Sequence, residues 1–197
     1  GPILAFVHEM VEMALAWDHH SLKTLGDLVE RLHDLGDEDQ AKVWALIRNW
    51  ADNEATDADK AVMREKIRVS TFSRRAAKRT KKKPSAARVT AAGKAAYAAL
   101  EPSDVLYQHA WLFREVWVEE SAEEIEDIEQ LDFRQRDERI KDLRVAALRE
   151  VVTKRGLSGI LELSRLGSAS WVIGVLLATV LLSEEELREL VQLALVT

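Results

Sequence analysis

The residues of this chain best placed to do chemistry are its charged runs and its histidines. Between Arg64 and Lys94 stand twelve basic residues against one acid, Glu65, a local excess of +11 in a chain of formal net charge -6. The densest part is Arg74, Arg75, Lys78, Arg79, Lys81, Lys82 and Lys83. Such clusters bind phosphate backbones by releasing counterions. Aromatic residues are missing from inside the run, however, and single-strand binders stack bases on aromatic platforms. A solvated or self-paired segment is therefore the leading expectation here, and contact with nucleic acid or an acidic partner the alternative. The histidines are His8, His19, His20, His33 and His109. On a helix His19 and His20 point about 100° apart, and His8 with Glu12 lacks a third ligand, so no metal site is expected.

Acids are abundant from Glu115 to Asp132, where nine occur without a base. Glu119-Glu120 and Glu123-Glu124 could supply a carboxylate pair for proton transfer, but no serine elbow or Gly-rich phosphate loop accompanies them. Cysteine is absent, which excludes disulfides, thiolate zinc sites and cysteine nucleophiles. No catalytic, cofactor-binding or metal-binding residue is expected, and the chain is read as non-enzymatic. The acids read instead as a solvated face or a charge-complementary docking surface. Six tryptophans occur, most on apolar stripes that suit core packing. Trp111 and Trp117 lie six residues apart, on different sides of a helix, so at least one is expected to face a partner. The expected protein interface is Trp111, Trp117, Glu119 and Glu120.

The elements that must carry these residues read as helices throughout. Eight Gly and three Pro in 197 residues are too few to punctuate a many-turned β fold. Phe6, Met10, Met13 and Trp17 recur at helical spacing. Ser21 caps a helix with the stripe Leu22, Leu25, Leu28, Leu32 and Leu35, closed by Gly36. Asp37 starts the next, with Val43, Trp44, Ile47 and Trp50 or Ala51 inward. Thr56 to Asp59 opens a helix carrying Val62, Ile67 and Phe72, and 85–100 is alanine-rich and helical. A turn at 101–104 feeds a helix bearing Leu106, Ala110, Phe113 and Trp117. Ile140, Leu143, Ala147 and Val151 mark a long helix that Gly156 closes. A short helix over 157–166 and an apolar one over 168–182, expected in the core, come next. Ser183 to Glu186 is a capping box for the last helix.

The fold class expected is all-α: an array of antiparallel helix pairs, either a solenoid-like segment or an irregular helical bundle. The apolar stripe lapses near Pro84, which predicts an N-terminal helical subdomain over 3–79, a basic linker over 80–87 and a C-terminal subdomain over 88–197. The longest apolar run, Trp171 to Leu182, is shorter than the roughly 20 residues of a spanning helix, so no membrane is expected. Lack of cysteine and of a secretory signal fits a cytoplasmic protein. Gly1-Pro2 resembles the remnant of a tag-removing protease, and the chain stops soon after an amphipathic pattern. A piece cut from a longer protein is the expectation.

Pro102-Ser103-Asp104, His109-Ala110-Trp111-Leu112-Phe113 and Trp117-Val118-Glu119-Glu120-Ser121 together resemble a segment of very large bacterial proteins similar to STAND-type NTPases. Many such proteins act in antiviral defence through helical-repeat sensor regions. The resemblance covers about a quarter of the chain, and no Walker motif is present. It implies a non-catalytic part of such a protein, with no catalytic residue to carry over. The function expected is a helical scaffold or sensor module that binds a protein partner or neighbouring domains of its parent chain. The alternative is a nucleic-acid-binding helical domain using residues 74–83. Leucine-rich helices at the end of the chain predict self-association into a homodimer once such neighbours are removed.

Overall fold

The computed structural model describes residues 9–14, 16, 20–68, 70, 91–118 and 132–196. Among these every regular element is helical and no strand occurs, so the chain is all-α. Residues 9–14 form α1, followed by α2 (Leu22–Glu30), α3 (Asp37–Asn53), α4 (Asp57–Ile67) and α5 (Ala91–Ala99). After these come α6 (Val105–His109), α7 (Phe133–Arg165), α8 (Ser170–Leu176) and α9 (Glu184–Val196). Phe6, Trp17, Phe72, the basic residues 74–83, the expected linker 80–87, Glu119 and Glu120 lie outside the described residues.

The described residues gather into two compact units that part between Pro102 and Ser103. Helix α5 therefore belongs with the N-terminal helices, although the sequence grouped it with the C-terminal half. The reason is a close helix crossing. A Cβ on Gly93 would stand 3.2 Å from the Trp44 ring, so glycine lets α5 seat directly on the indole of α3. Ala96, Tyr97 and Leu100 join Trp44, Ile47 and Trp50 in that core.

Local signals act as the sequence implies at several ends. Ser21 accepts from the Thr24 amide at 3.1 Å, and Thr56 and Asp59 form a reciprocal capping box. Asp132 and Gln135 form another at the start of α7. At α1 the buried residues are Val11 and Ala14, while Met13 is exposed, so the inward face is rotated from the one expected. Helix α2 stops at Glu30, and Leu32–Asp34 is a 3-10 turn. Three residues per turn keep Leu32 and Leu35 on one side, both buried. Gly36, expected to close α2, instead stands at the N-cap of α3 in extended backbone. Met63, which the sequence did not single out, is fully buried on α4.

In the second unit, Gly156 interrupts α7 with φ +66°, the left-handed backbone that ends a regular helix and that glycine adopts without Cβ strain. The chain resumes as helix directly afterwards, matching the expected break between two helices. Ala147, Leu148, Val151, Ile160 and Leu163 line its buried side. Helix α8 is shorter than expected, because Leu177–Leu181 widens into a π turn. It is also not a core helix. Val172, Ile173 and Leu176 are buried, but Trp171 is 59% exposed and Val175 49%. Contact with neighbours is made along one side only, so apolar residues on the other side stay in water.

Two glycine substitutions separate these environments. Gly93→Leu should destabilise the protein by about 1–3 kcal/mol, because the added side chain must displace Trp44. Gly174→Ala, where nothing lies within 4 Å of the added Cβ, should stabilise α8 by about 0.5–1 kcal/mol. Urea unfolding followed by circular dichroism checks both, and equal effects of one sign would contradict this packing.

Candidate functional site

The most constrained polar arrangement lies in the second unit, around the chain that follows α6. After α6 a 3-10 turn spans Ala110–Phe113, and the backbone then bends through 114–117. A helix end of this kind leaves carbonyls without intrahelical donors. Five consecutive carbonyls find donors from elsewhere. Arg144 on α7 donates from Nε to the Leu112 carbonyl at 2.9 Å, and from Nη2 to those of Glu115 and Val116 at 3.1 and 2.9 Å. The amide of Ala169 donates to the Phe113 carbonyl at 3.1 Å, and that of Ser168 to the Arg114 carbonyl at 3.0 Å. The Ser168 hydroxyl reaches the Arg114 carbonyl as well, at 2.6 Å.

Gly167 makes this meeting sterically feasible. A Cβ there would overlap the Phe113 carbonyl oxygen, so no other residue permits the approach without moving backbone. Arg144 is only 8% exposed. Burial lowers its pKa from the usual arginine value, and the nearby Asp137 charge opposes that shift. Its charge is met by carbonyl dipoles, and its guanidinium carbon sits 6.0 Å from the centre of the Phe113 ring.

Pinning the carbonyl of Val116 determines what the next side chain does. Trp117 projects into solvent, 69% exposed, and meets the 70% exposed Phe133 at the first turn of α7. The two rings lie 6.3 Å apart, tilted by 43°. Of the interface residues expected, Trp117 is thus in water and Trp111 is half-buried against the core. Phe133 and Arg144 were missed by sequence reasoning. Phe133 directly follows the Asp132 cap, and a large aromatic at an acidic helix start was the available signal. Arg144 sits beside Leu143 on the long helix, and nothing in its spacing marks it as buried.

Near this site His109 Nε2 stands 2.8 Å from the Glu150 carboxylate, whose other oxygen lies 2.6 Å from Lys154 Nζ. Lys154 first and His109 second hold the Glu150 carboxyl below its ordinary range. The trio ties α6 to α7. Among the described residues no group of three metal-ligating side chains occurs. In the first unit Arg64 is the comparable fastening. It stacks over Tyr97 at 4.1 Å, donates to the Tyr97 carbonyl at 3.1 Å and pairs with Glu101.

Comparison of the chain with protein families, with curated proteins and with solved structures finds no match.

The Glu150 contacts set a pH dependence. A carboxyl with a depressed folded pKa contributes stability that is present above its unfolded value, near 4.5, and lost as pH falls through the folded value. Glu150→Gln should therefore lower stability at neutral pH, and the gap from the parent should narrow as pH falls through the folded value of this carboxyl. Parallel urea titrations at several pH values test this. A gap that does not change with pH would show that packing, not charge, held His109 and Lys154.

Proposed function

We propose that this chain is a non-catalytic helical module that recognises another protein or a neighbouring domain. The observation that supports it is the apolar surface of the second unit, contributed by four separate segments. Trp117 with Phe133, Trp171 with Val175, and Val191 with Leu195 are all at least 49% exposed. Isolated apolar side chains on a surface are ordinary, but large aromatics and paired aliphatics on several elements mark interaction surfaces. Tryptophan is the residue most enriched where binding energy concentrates, because it removes much apolar area from water at little entropic cost. The resemblance of 102–121 to helical regions of STAND-type NTPases agrees with such a role, which in that setting is scaffolding or sensing beside a catalytic domain. No helix among the described residues is long and apolar enough to cross a membrane.

Nucleic-acid binding is the second reading, and the basic run supports it. An excess of +11 between Arg64 and Lys94 is large for a chain of net charge -6. Neutralising several phosphates would make affinity fall steeply with salt.

Two experiments decide between these. A photo-cross-linker placed at Val175, with the chain expressed in its own cells, should capture one discrete polypeptide, and Trp171→Asp should abolish capture. Absence of any adduct at Val175 and at Trp117 would overturn the protein-binding reading. Mobility shifts with random-sequence DNA and RNA address the second reading. Binding at low salt that weakens at physiological salt, and is lost when Arg79, Lys81, Lys82 and Lys83 become Glu, would favour it. No shift at low salt would remove it.

A further inference from the structure

Helix α8 shows water a face with no charge on it. From Leu166 to Ser183 eighteen consecutive residues carry none, in a chain of which 31% is charged. Val172, Ile173, Leu176 and Leu177 point into the core of the second unit. Trp171, Gly174 and Val175 are exposed, and so is Ala178 on the π turn that continues the helix. At about 100° per residue these four fall within an arc of about 100°, so they form one face and the buried four form the opposite one. Large and small side chains alternate along it. Trp171 and Val175 stand out as ridges at 59% and 49% exposure, whereas nothing lies within 4 Å of a Cβ built on Gly174. The space above Gly174 is therefore open to another molecule.

We infer that this face of α8 docks on the same face of a second copy of the chain, the two helices running antiparallel about a two-fold axis at the midpoint between residues 174 and 175. This rests on the protein-recognition reading above and names the partner. The order of side-chain sizes selects a second copy as the occupant. Positions 171 and 178 are equidistant from that midpoint, as are 174 and 175. An antiparallel two-fold therefore sets Trp171 on Ala178 and Val175 on Gly174 across the axis, twice over. Each large side chain meets a small one, which is the condition for interdigitated helix packing. A parallel pairing would set Trp171 on Trp171 and leave Gly174 facing Gly174. Symmetry makes the two halves of such a contact identical, so the chain needs no second surface to complete it. Charge agrees with this occupant. Two copies of a chain with net charge -6 repel, and the repulsion is weakest where they meet through a neutral face. Four side chains supply well under the roughly 800 Å² per partner of a standard interface, so the pair is weak, with a Kd in the micromolar range.

The test uses the full chain, whose lack of cysteine keeps disulfide-linked pairs out of the readout. Sedimentation equilibrium should show the mass rising from 22.3 kDa toward twice that value between about 1 and about 200 μM. Trp171→Ala takes away the ridge and Ala178→Trp sets ridge against ridge, so each variant should stay monomeric at about 200 μM. The double variant, Trp171→Ala with Ala178→Trp, exchanges large for small across the axis and should recover the dimer. Both positions are exposed, and unchanged circular dichroism confirms that the variants fold. A monomer at the highest concentration, a dimer that either single variant leaves intact, or a double variant that does not recover overturns the inference. A monomer that cosediments with phosphatidylcholine vesicles also overturns it, because lipid then covers the face. Cross-linking from Val175 separates this inference from the reading beneath it. Capture of the chain by itself supports both, capture of a different polypeptide sinks only the second copy, and no adduct at Val175 or Trp117 sinks both.

Discussion

The arrangement of the second unit depends on a buried arginine without a buried acid. Arg144 spends its donors on backbone carbonyls of Leu112, Glu115 and Val116, where a salt bridge would have been the simpler way to hide the charge. A buried cation is costly unless its hydrogen-bonding capacity is met. The carbonyls in turn are costly to bury unmet, at about 1–3 kcal/mol for each group left without a donor. Each partner thus answers the other's desolvation. The result is a short irregular segment whose carbonyls are all met, by Arg144 of α7 and by residues 168–169. Trp117, at its far end, takes its position from that junction.

The first unit is held by different means. Its core is apolar contact between α3 and α5, made close by Gly93, and between α2 and α4, where Gly26 lies against the aliphatic stem of Lys66. The Lys66 ammonium continues outward to Glu30 at 2.9 Å, so one side chain both packs and pairs. Arg64 repeats the pattern on Tyr97 and Glu101. In both units long cationic side chains cover helix crossings while their charged ends find carbonyl or carboxylate oxygens. That habit accounts for part of the chain's high charge content without invoking a ligand.

These features bear on recognition through contrast. The first unit buries its tryptophans: Trp44 and Trp50 are 4% and 3% exposed. The second leaves Trp117 and Trp171 in water, on elements whose backbones are well fastened. Rigid aromatics displayed from a fixed backbone lose little entropy on binding, which favours a recognition surface over a site that must order itself first. Three glutamates in the first turn of α9 and the acid-rich sequence from Glu115 to Asp132 concentrate negative charge in this half of the chain.

Sequence alone determined the helical class, several helix starts and the inward stripes of α2 and α3. The helix start at Thr56, the capping box at Ser183 and the stripe Val43, Trp44, Ile47 and Trp50 are local patterns, governed by neighbours three and four positions away. What the sequence could not determine was anything that required knowing which helix meets which. The grouping of α5 with α3, the inward turn of Arg144 and the outward turn of Trp171 each depend on partners far along the chain. Trp171 and Val172 are both apolar, and the positions of α7 and of the 110–113 turn decide which of them is covered. Helical periodicity names a face but not its neighbour, and burial is a property of the pair.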